Sequence, residues 1–401
     1  MNHRWLPRWL ELSIYVVAEA AIIATDLGMV IGTAIALNIL IPALPLPWAC
    51  VISVAETLLI LLFYTHTGEM RRIRIFEVFV AALVIVVFAT ICVALSMVSA
   101  EVGPVFRGYV PSRDIFVDTG LYASCAILGG TLMPHALYVG TALSRSRLEQ
   151  YDAKHALVPP AAVAVAAAAG SSTDSLLPAY RPSLRAIRAC LGYSIAELSF
   201  TLFTVAVFVN SALIIIAGAA FYRPGAEDEV SDDLYDLYRL FNETVSPAAG
   251  VMFALSLLFS GISAGIVSTM AGQIVMEGAL QIRVAPFLRR LITRCVAIVP
   301  ALIIAVSVGQ EGLSKAMVAC NYLLAIALIP ITFPIIWYTC RSRYMLVPAE
   351  EGTATTGAGA MVDMKNNVVT AGVGWLLWVL VVVMDVATVV LVGLGITEDS
   401  G

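Results

Sequence analysis

Charge is what this sequence has least of. Only 13% of its 401 residues are Asp, Glu, Lys or Arg, while 60% are apolar; soluble domains carry about 25% charged residues. A water-soluble globule is therefore excluded, because too few charged side chains remain to cover it. Disorder over most of the length is excluded as well, since disordered chains are poor in Val, Ile, Leu and Phe, and mean hydropathy here is +0.92. A run of basic residues is lacking and the net charge is −5, so nucleic acid is not expected as a partner. The seven cysteines form no CxxC pair and most fall inside apolar runs, which reads as small core hydrophobes instead of disulfides or a zinc site. No soluble-enzyme constellation is present, and the chain is read as a non-enzyme without a prosthetic group. What remains is a chain solvated by a lipid bilayer.

A spanning helix needs about 20 mostly apolar residues. Runs of that kind lie near Leu12–Ile41, Pro47–Tyr64, Phe76–Ser99, Leu121–Leu143, Leu191–Tyr222, Pro247–Met276, Leu291–Val308, Leu313–Tyr338 and Val369–Ile396. The fold class expected is thus an all-α polytopic membrane protein with about nine transmembrane helices. The first run is too long, and too poor in a cleavage site, to be a removable signal peptide. Segmentation follows: helices one to four over 1–147, a cytoplasmic flexible linker over 148–188 that is rich in Ala, Ser and Pro, helices five to eight over 189–340, a cytoplasmic loop over 341–368, and a final helix and tail over 369–401. With nine spans, 18 of the 23 basic residues fall on one side, and only Arg107, Arg113, Arg223, Arg239 and Lys315 on the other. The positive-inside bias then places the N-terminus in the cytoplasm. The opposite side holds Asn242-Glu243-Thr244, an N-glycosylation triplet on the side where it can be used.

An ionisable group inside a span costs about 2.5–3.5 kcal/mol or more to insert, so each is a functional candidate. In the first run Glu19 and Asp26 lie seven residues apart, on one helical face. They line a water-filled path for protons or cations, or are buried and held structurally by an arginine or helix-end amides. The fourth run contains Gly129-Gly130-Thr131-Leu132-Met133-Pro134-His135. Pro134 removes a backbone donor and the glycines permit unwinding, so a broken helix is expected from Gly129 to Pro134, with carbonyls left to line a cavity or bind an ion. Met133 beside it is a soft donor suited to Mn, Fe or Cu-type cations, and His135 is a ligand or proton carrier. Singly, either residue would read as core. Asn210, Ser263, Ser268, Thr269 and Gln273 line a pore or join helices. Arg289 and Arg290 read as snorkelling anchors, while Arg294, a turn deeper, can pair with an intramembrane Asp such as Asp26. Asn321 in the eighth run can offer a carbonyl oxygen to an ion, and Pro330 and Pro334 downstream point to a second interruption.

At these residues the sequence resembles the Nramp family of proton-coupled divalent metal transporters, and most of all its eukaryotic manganese/iron branch. The stretches that carry the resemblance are Ala18–Leu27, Val30–Leu37, Met133-Pro134-His135 and Ser263–Gly278. The resemblance implies a LeuT-type inverted repeat that is incomplete here, because the nine runs match family helices three to eleven; the expectation is a chain short of two N-terminal helices. It implies that Met133, the carbonyl of Gly130 (usually Ala in the family) and Asn321 contact the metal. By the same likeness Asp26 and His135 match the proton route, and Arg294 its partner arginine. The family's Asp-Pro-Gly-Asn motif is absent, Met29 stands where a Glu is usual, and the Met-Pro-His signature ends in Ala136. Loss of a charged ligand should weaken metal binding.

The function expected is transmembrane transport of divalent transition-metal ions, Mn²⁺ or Fe²⁺, coupled to protons, in a multi-pass protein of the plasma or endosomal/vacuolar membrane. The alternatives are a transport-incompetent homologue acting as a sensor or assembly partner, or a fragment of a longer transporter. Transport of a hard cation such as Mg²⁺ is disfavoured by Met133, since hard cations gain little from a thioether.

Overall fold

The computed structural model describes residues 7–63, 70–98, 100–116, 120–155, 182–221, 234–280, 286–348 and 361–393. Its helices are α1 (Arg8–Leu40), α2 (Leu46–Phe63), α3 (Met70–Met97), α4 (Val102–Gly108), α5 (Gly120–Thr131), α6 (Pro134–Lys154), α7 (Leu184–Thr201), α8 (Phe208–Phe221), α9 (Leu234–Leu240), α10 (Pro247–Leu280), α11 (Pro286–Ser307), α12 (Gln310–Thr339), α13 (Ser342–Met345) and α14 (Val368–Gly393). A π-helical turn, Leu202–Val207, fuses α7 to α8, and a second one, Phe241–Val245, follows α9. Each apolar run of the sequence coincides with helix. Among the described residues six helices are long and apolar enough to cross a membrane, and the stretches Leu46–Ala55, Ala81–Met97 and Cys295–Ser307 are shorter apolar helices.

Long helix α1, of 33 residues, lies at the centre. Ile22, Ile31 and Ile35 on it are 0% exposed, because α10 and α12 flank it along its length. Its cluster sets Val30, Ile31, Ile35 and Ile39 against small residues of its neighbours, Ala49 and Cys50 of α2, Ala254 of α10, and Ala301 and Ala305 of α11. A second cluster joins Ala18, Ala21 and Ile22 to Leu324, Ala327 and Ile331 of α12. Lipid tails are as apolar as leucine, so packing between spans comes from close approach, not from exclusion of water. At the α1–α10 crossing a Cβ on Gly261 would run into the Thr33 hydroxyl, and Gly32 lies 3.9 Å from Leu257 by the same measure. Outward faces are apolar: Leu198 and Phe200 of α7 and Val379, Leu380 and Val383 of α14 are exposed, as lipid contact requires.

Three expectations are corrected. Helix α12 runs unbroken through Pro330 and Pro334. The carbonyls that lose their intrahelical donor to these prolines are those of Ile326 and Pro330; beside them, Trp378 Nε1 of α14 donates to the Ile329 carbonyl at 3.1 Å, and the Thr332 hydroxyl donates to the Leu328 carbonyl at 2.6 Å. The 148–188 linker is helical at both ends, since α6 reaches Lys154 and α7 begins at Leu184; its centre, including Ala161–Gly170, lies outside the described residues. The 341–368 loop is partly ordered into α13 and a ladder of β1 (Leu346–Pro348) antiparallel to β2 (Met361–Asp363), a small exception to an all-α fold.

The two ends of the linker are tied together. Asp152 is 1% exposed, and its carboxylate accepts from the Ser183 amide at 3.0 Å and the Ser183 hydroxyl at 2.6 Å. Ser183 in turn caps α7, its Oγ accepting from Ala186 N at 3.1 Å. Truncating Asp152 leaves the half-buried Ser183 N–H without its acceptor, which costs about 1 kcal/mol. Asp152→Ala is therefore expected to lower the thermal unfolding midpoint in detergent, whereas Asp152→Asn, which keeps an acceptor, recovers part of it.

Candidate metal-ion site

The break predicted at Gly129–Pro134 is present and narrower than expected. Helix α5 continues to Thr131, with Leu132 N still bonded to the Leu128 carbonyl at 2.8 Å, and α6 resumes at Pro134. Only Leu132 and Met133 are non-helical. Pro134 at the first turn of α6 suits its missing N–H, and the same absence leaves the carbonyl of Gly130, four residues earlier, without its intrahelical donor. An oxygen freed in this way can face an ion.

The glycines serve contact, not unwinding. A Cβ on Gly129 would run into the backbone carbonyl of Asn321 and stand 2.6 Å from Ala325 N; one on Gly130 would stand 3.3 Å from Asn321 Cγ and Oδ1. Helix α5 thus presses its glycine face onto α12, and the Asn321 amide lies over Gly130. Met133 is the residue before α6, with φ −58° and ψ 118°. Met133, Gly130 and Asn321 are all half-buried. The structure therefore brings Gly130 and Asn321 together at the break that carries Met133. All three donors are neutral: a thioether, a backbone carbonyl and an amide. Among the described residues no three His, Cys, Asp or Glu side chains gather into a group that could hold a metal.

Helix α1 supplies the neighbouring polar residues. Asp26 is 0% exposed and His135 is 3% exposed. Thr25, beside Asp26, places its hydroxyl 3.4 Å from His135 Nδ1 and gives its hydrogen to the Ala21 carbonyl at 2.9 Å. With that hydrogen spent, the hydroxyl is an acceptor for the tautomer of His135 that carries its hydrogen on Nδ1 and keeps the lone pair on Nε2. Thr25 was not legible as a functional residue, because a threonine on an apolar helix has no signal of its own. Ser268, Thr269 and Gln273 of α10 are buried. Arg289, Arg290 and Arg294 lie on α11, and their side chains are outside the described residues. Asn242 is half-buried in the π-helical turn after α9, its Cβ beside Gly250. Sequence reading also stops short of Asp385, a lone carboxylate in the last apolar helix that is 1% exposed; its insertion cost is the signal that could have found it.

A family model described as natural resistance-associated macrophage protein-like (Nramp) matches residues 2–391. Manganese transporter SMF1 of Saccharomyces cerevisiae is 44% identical over 348 residues, covering 85% of this chain and 60% of that protein. Manganese transporter pdt1 of Schizosaccharomyces pombe is 40% identical over 393 residues, covering 97% and 72%, and iron transporter SMF3 of Saccharomyces cerevisiae is 41% identical over 359 residues, covering 88% and 71%. Among solved structures, the Eremococcus coleocola manganese transporter in complex with an aromatic bis-isothiourea substituted compound superposes with a TM-score of 0.69 at 26% identity, covering 96% of this chain and 72% of that one. These likenesses extend over nearly the whole chain and run with its apolar helices and broken span: it is an integral membrane protein, and it belongs to the Nramp family.

Proposed function

We infer that the chain carries divalent transition-metal ions, Mn²⁺ or Fe²⁺, across a membrane, and that proton movement accompanies them. The observation that carries this reading is the contact of Gly130 with Asn321 at the α5–α6 break that bears Met133. A thioether favours manganese- or iron-type cations over Mg²⁺ and Ca²⁺. A donor set without charge holds a cation loosely, and a carrier must release what it binds. The names of the relatives, manganese and iron transporters, support the same cargo.

Asp26 and His135 supply the proton route in this reading. His135 sits immediately after the break, its ring hydrogen directed at Thr25 and its Nε2 left as a base. A proton bound there changes the charge two residues from Met133, which opposes a second cation nearby and so links the two. Arg294 is assigned as the counter-charge of this route. The N-terminus is placed in the cytoplasm, and Asn242 is assigned as a glycosylation acceptor on the far side.

The test is uptake of Mn²⁺ into proteoliposomes holding the full chain, with a metal-sensitive dye and a pH-sensitive dye inside. An inward proton gradient should accelerate Mn²⁺ entry, and acidification of the lumen should accompany it. Asp26→Asn is expected to reduce gradient-driven acidification several-fold more than it reduces Mn²⁺ entry down its own gradient. Absence of Mn²⁺ entry at any pH would favour the sensor or assembly reading, and entry without acidification would remove protons from the mechanism.

A further inference from the structure

The last long helix carries a carboxyl group that the proposed cycle does not use. Asp385 is the only ionisable residue of α14, Val368–Gly393, and it points inward, 1% exposed, against α5 and α12. Among the described residues the titratable groups that face it are Cys125 from α5 and Tyr322 from α12, and Tyr122 of α5 lies against Tyr322. The rings of Tyr122 and Tyr322 pack at a tilt of 42° with centroids 5.5 Å apart. No cation is among these groups.

Hydrogen counting leaves the carboxyl without a strong donor. Thr388, one turn along α14, gives its hydroxyl hydrogen to the Met384 carbonyl at 2.9 Å and lies 3.0 Å from Cys125 Sγ. The Cys125 thiol is therefore the one hydrogen shared between Thr388 and Asp385, and a thiol is a weak donor. Neither carboxyl oxygen of Asp385 has an N–H or O–H donor among the described residues, and the buried Tyr322 hydroxyl has no partner either. An ionised carboxylate in this setting would bear the full cost of desolvation, whereas the neutral acid supplies its own O–H.

We propose that Asp385 is a proton-binding site, separate from the Asp26 and His135 route and coupled to the cation site one turn away. Cys125 precedes Gly129 by one turn of α5, and Tyr322 follows Asn321 on α12, so the two residues that face the carboxyl lie close in sequence to donors of the ion position. In the conformation described the O–H bond is intact. When the α5–α12–α14 junction admits water, the proton passes to water and a carboxylate remains beside the three neutral donors. That negative charge strengthens cation binding, and an arriving divalent ion in turn expels the proton. The role in transport rests on the function proposed above; the protonation itself does not.

The test is infrared spectroscopy of the full chain in lipid, reading the carbonyl stretch of protonated carboxyl groups in the absence and presence of Mn²⁺. The wild-type protein should show such a band at neutral pH, part of which disappears in Asp385→Asn and shifts in Asp385→Glu, the conservative variant that guards against misfolding. Addition of Mn²⁺ should diminish that same component. A band unchanged in Asp385→Asn overturns the proposal, and a component that is lost on mutation but indifferent to bound Mn²⁺ overturns the coupling. Mn²⁺ binding is read independently by electron paramagnetic resonance of the ion. If the ion does not bind at all, the metal-transport reading has failed and the metal-free band still decides whether Asp385 holds a proton.

Discussion

Replacing Met133 by leucine should lower Mn²⁺ uptake at limiting concentration about tenfold, equivalent to about 1.4 kcal/mol of binding, while Mg²⁺ uptake changes little. Leucine matches methionine in volume and apolarity, so the break keeps its packing and only the sulfur is lost. Met133 shares the gap between α5 and α6 with Leu132, half-buried and three residues after Gly130. With the other two donors being an oxygen of the backbone and an amide, sulfur is the one member of the set that distinguishes soft from hard cations. Uptake of both ions measured side by side checks this, and an unchanged preference for Mn²⁺ would sink the assignment of Met133 as a ligand.

The second large effect belongs to Gly129. A methyl group there meets the Asn321 carbonyl, Ala325 N at 2.6 Å and Ala325 Cβ at 3.1 Å. Two of these obstacles are backbone, which cannot rotate away, so α5 and α12 must move apart. Overpacking of this kind costs about 3 kcal/mol or more. Gly129→Ala is expected to lower the detergent unfolding midpoint by several degrees and to abolish transport, since the displaced element is the one that bears Asn321. Gly140→Ala, in the exposed interior of α6 with nothing within 4 Å of its added methyl, should be neutral or slightly stabilising, because alanine is the better helix former by up to about 1 kcal/mol. Equal loss in both variants would mean that glycine at position 129 is not there for close approach.

Much of this could be read from the sequence, for reasons that differ by element. The apolar runs were legible because bilayer thickness imposes a length that chance rarely meets. The break was legible because proline lacks an N–H wherever it stands. Its width was not, since Gly129 and Gly130 stay helical when a neighbouring helix needs their bare backbone. The continuity of α12 was also hidden: Pro330 and Pro334 look like breakers, yet the helix runs through both, with Trp378, 48 residues beyond Pro330, donating to the Ile329 carbonyl beside them. Asp385 was passed over although a lone charge inside an apolar run is a signal, and Cys125 and Tyr322, which give it meaning, are remote in sequence and chemically quiet. Thr25 was hidden likewise, because its role arises only from the tertiary approach of α1 to His135.

The clasp between Asp152 and Ser183 has a mechanical consequence. Helix α6 is a rod of 21 residues, about 30 Å long. Its pivot is the two-residue gap at Leu132–Met133, and its far end is fastened to the start of α7. A tilt of about 10° at the pivot would therefore swing the fastened end through ~5 Å and draw α7 with it. Movement too slight to notice around a bound ion would be delivered, magnified, to the start of α7, and a weakened clasp would let the lever turn without moving its load.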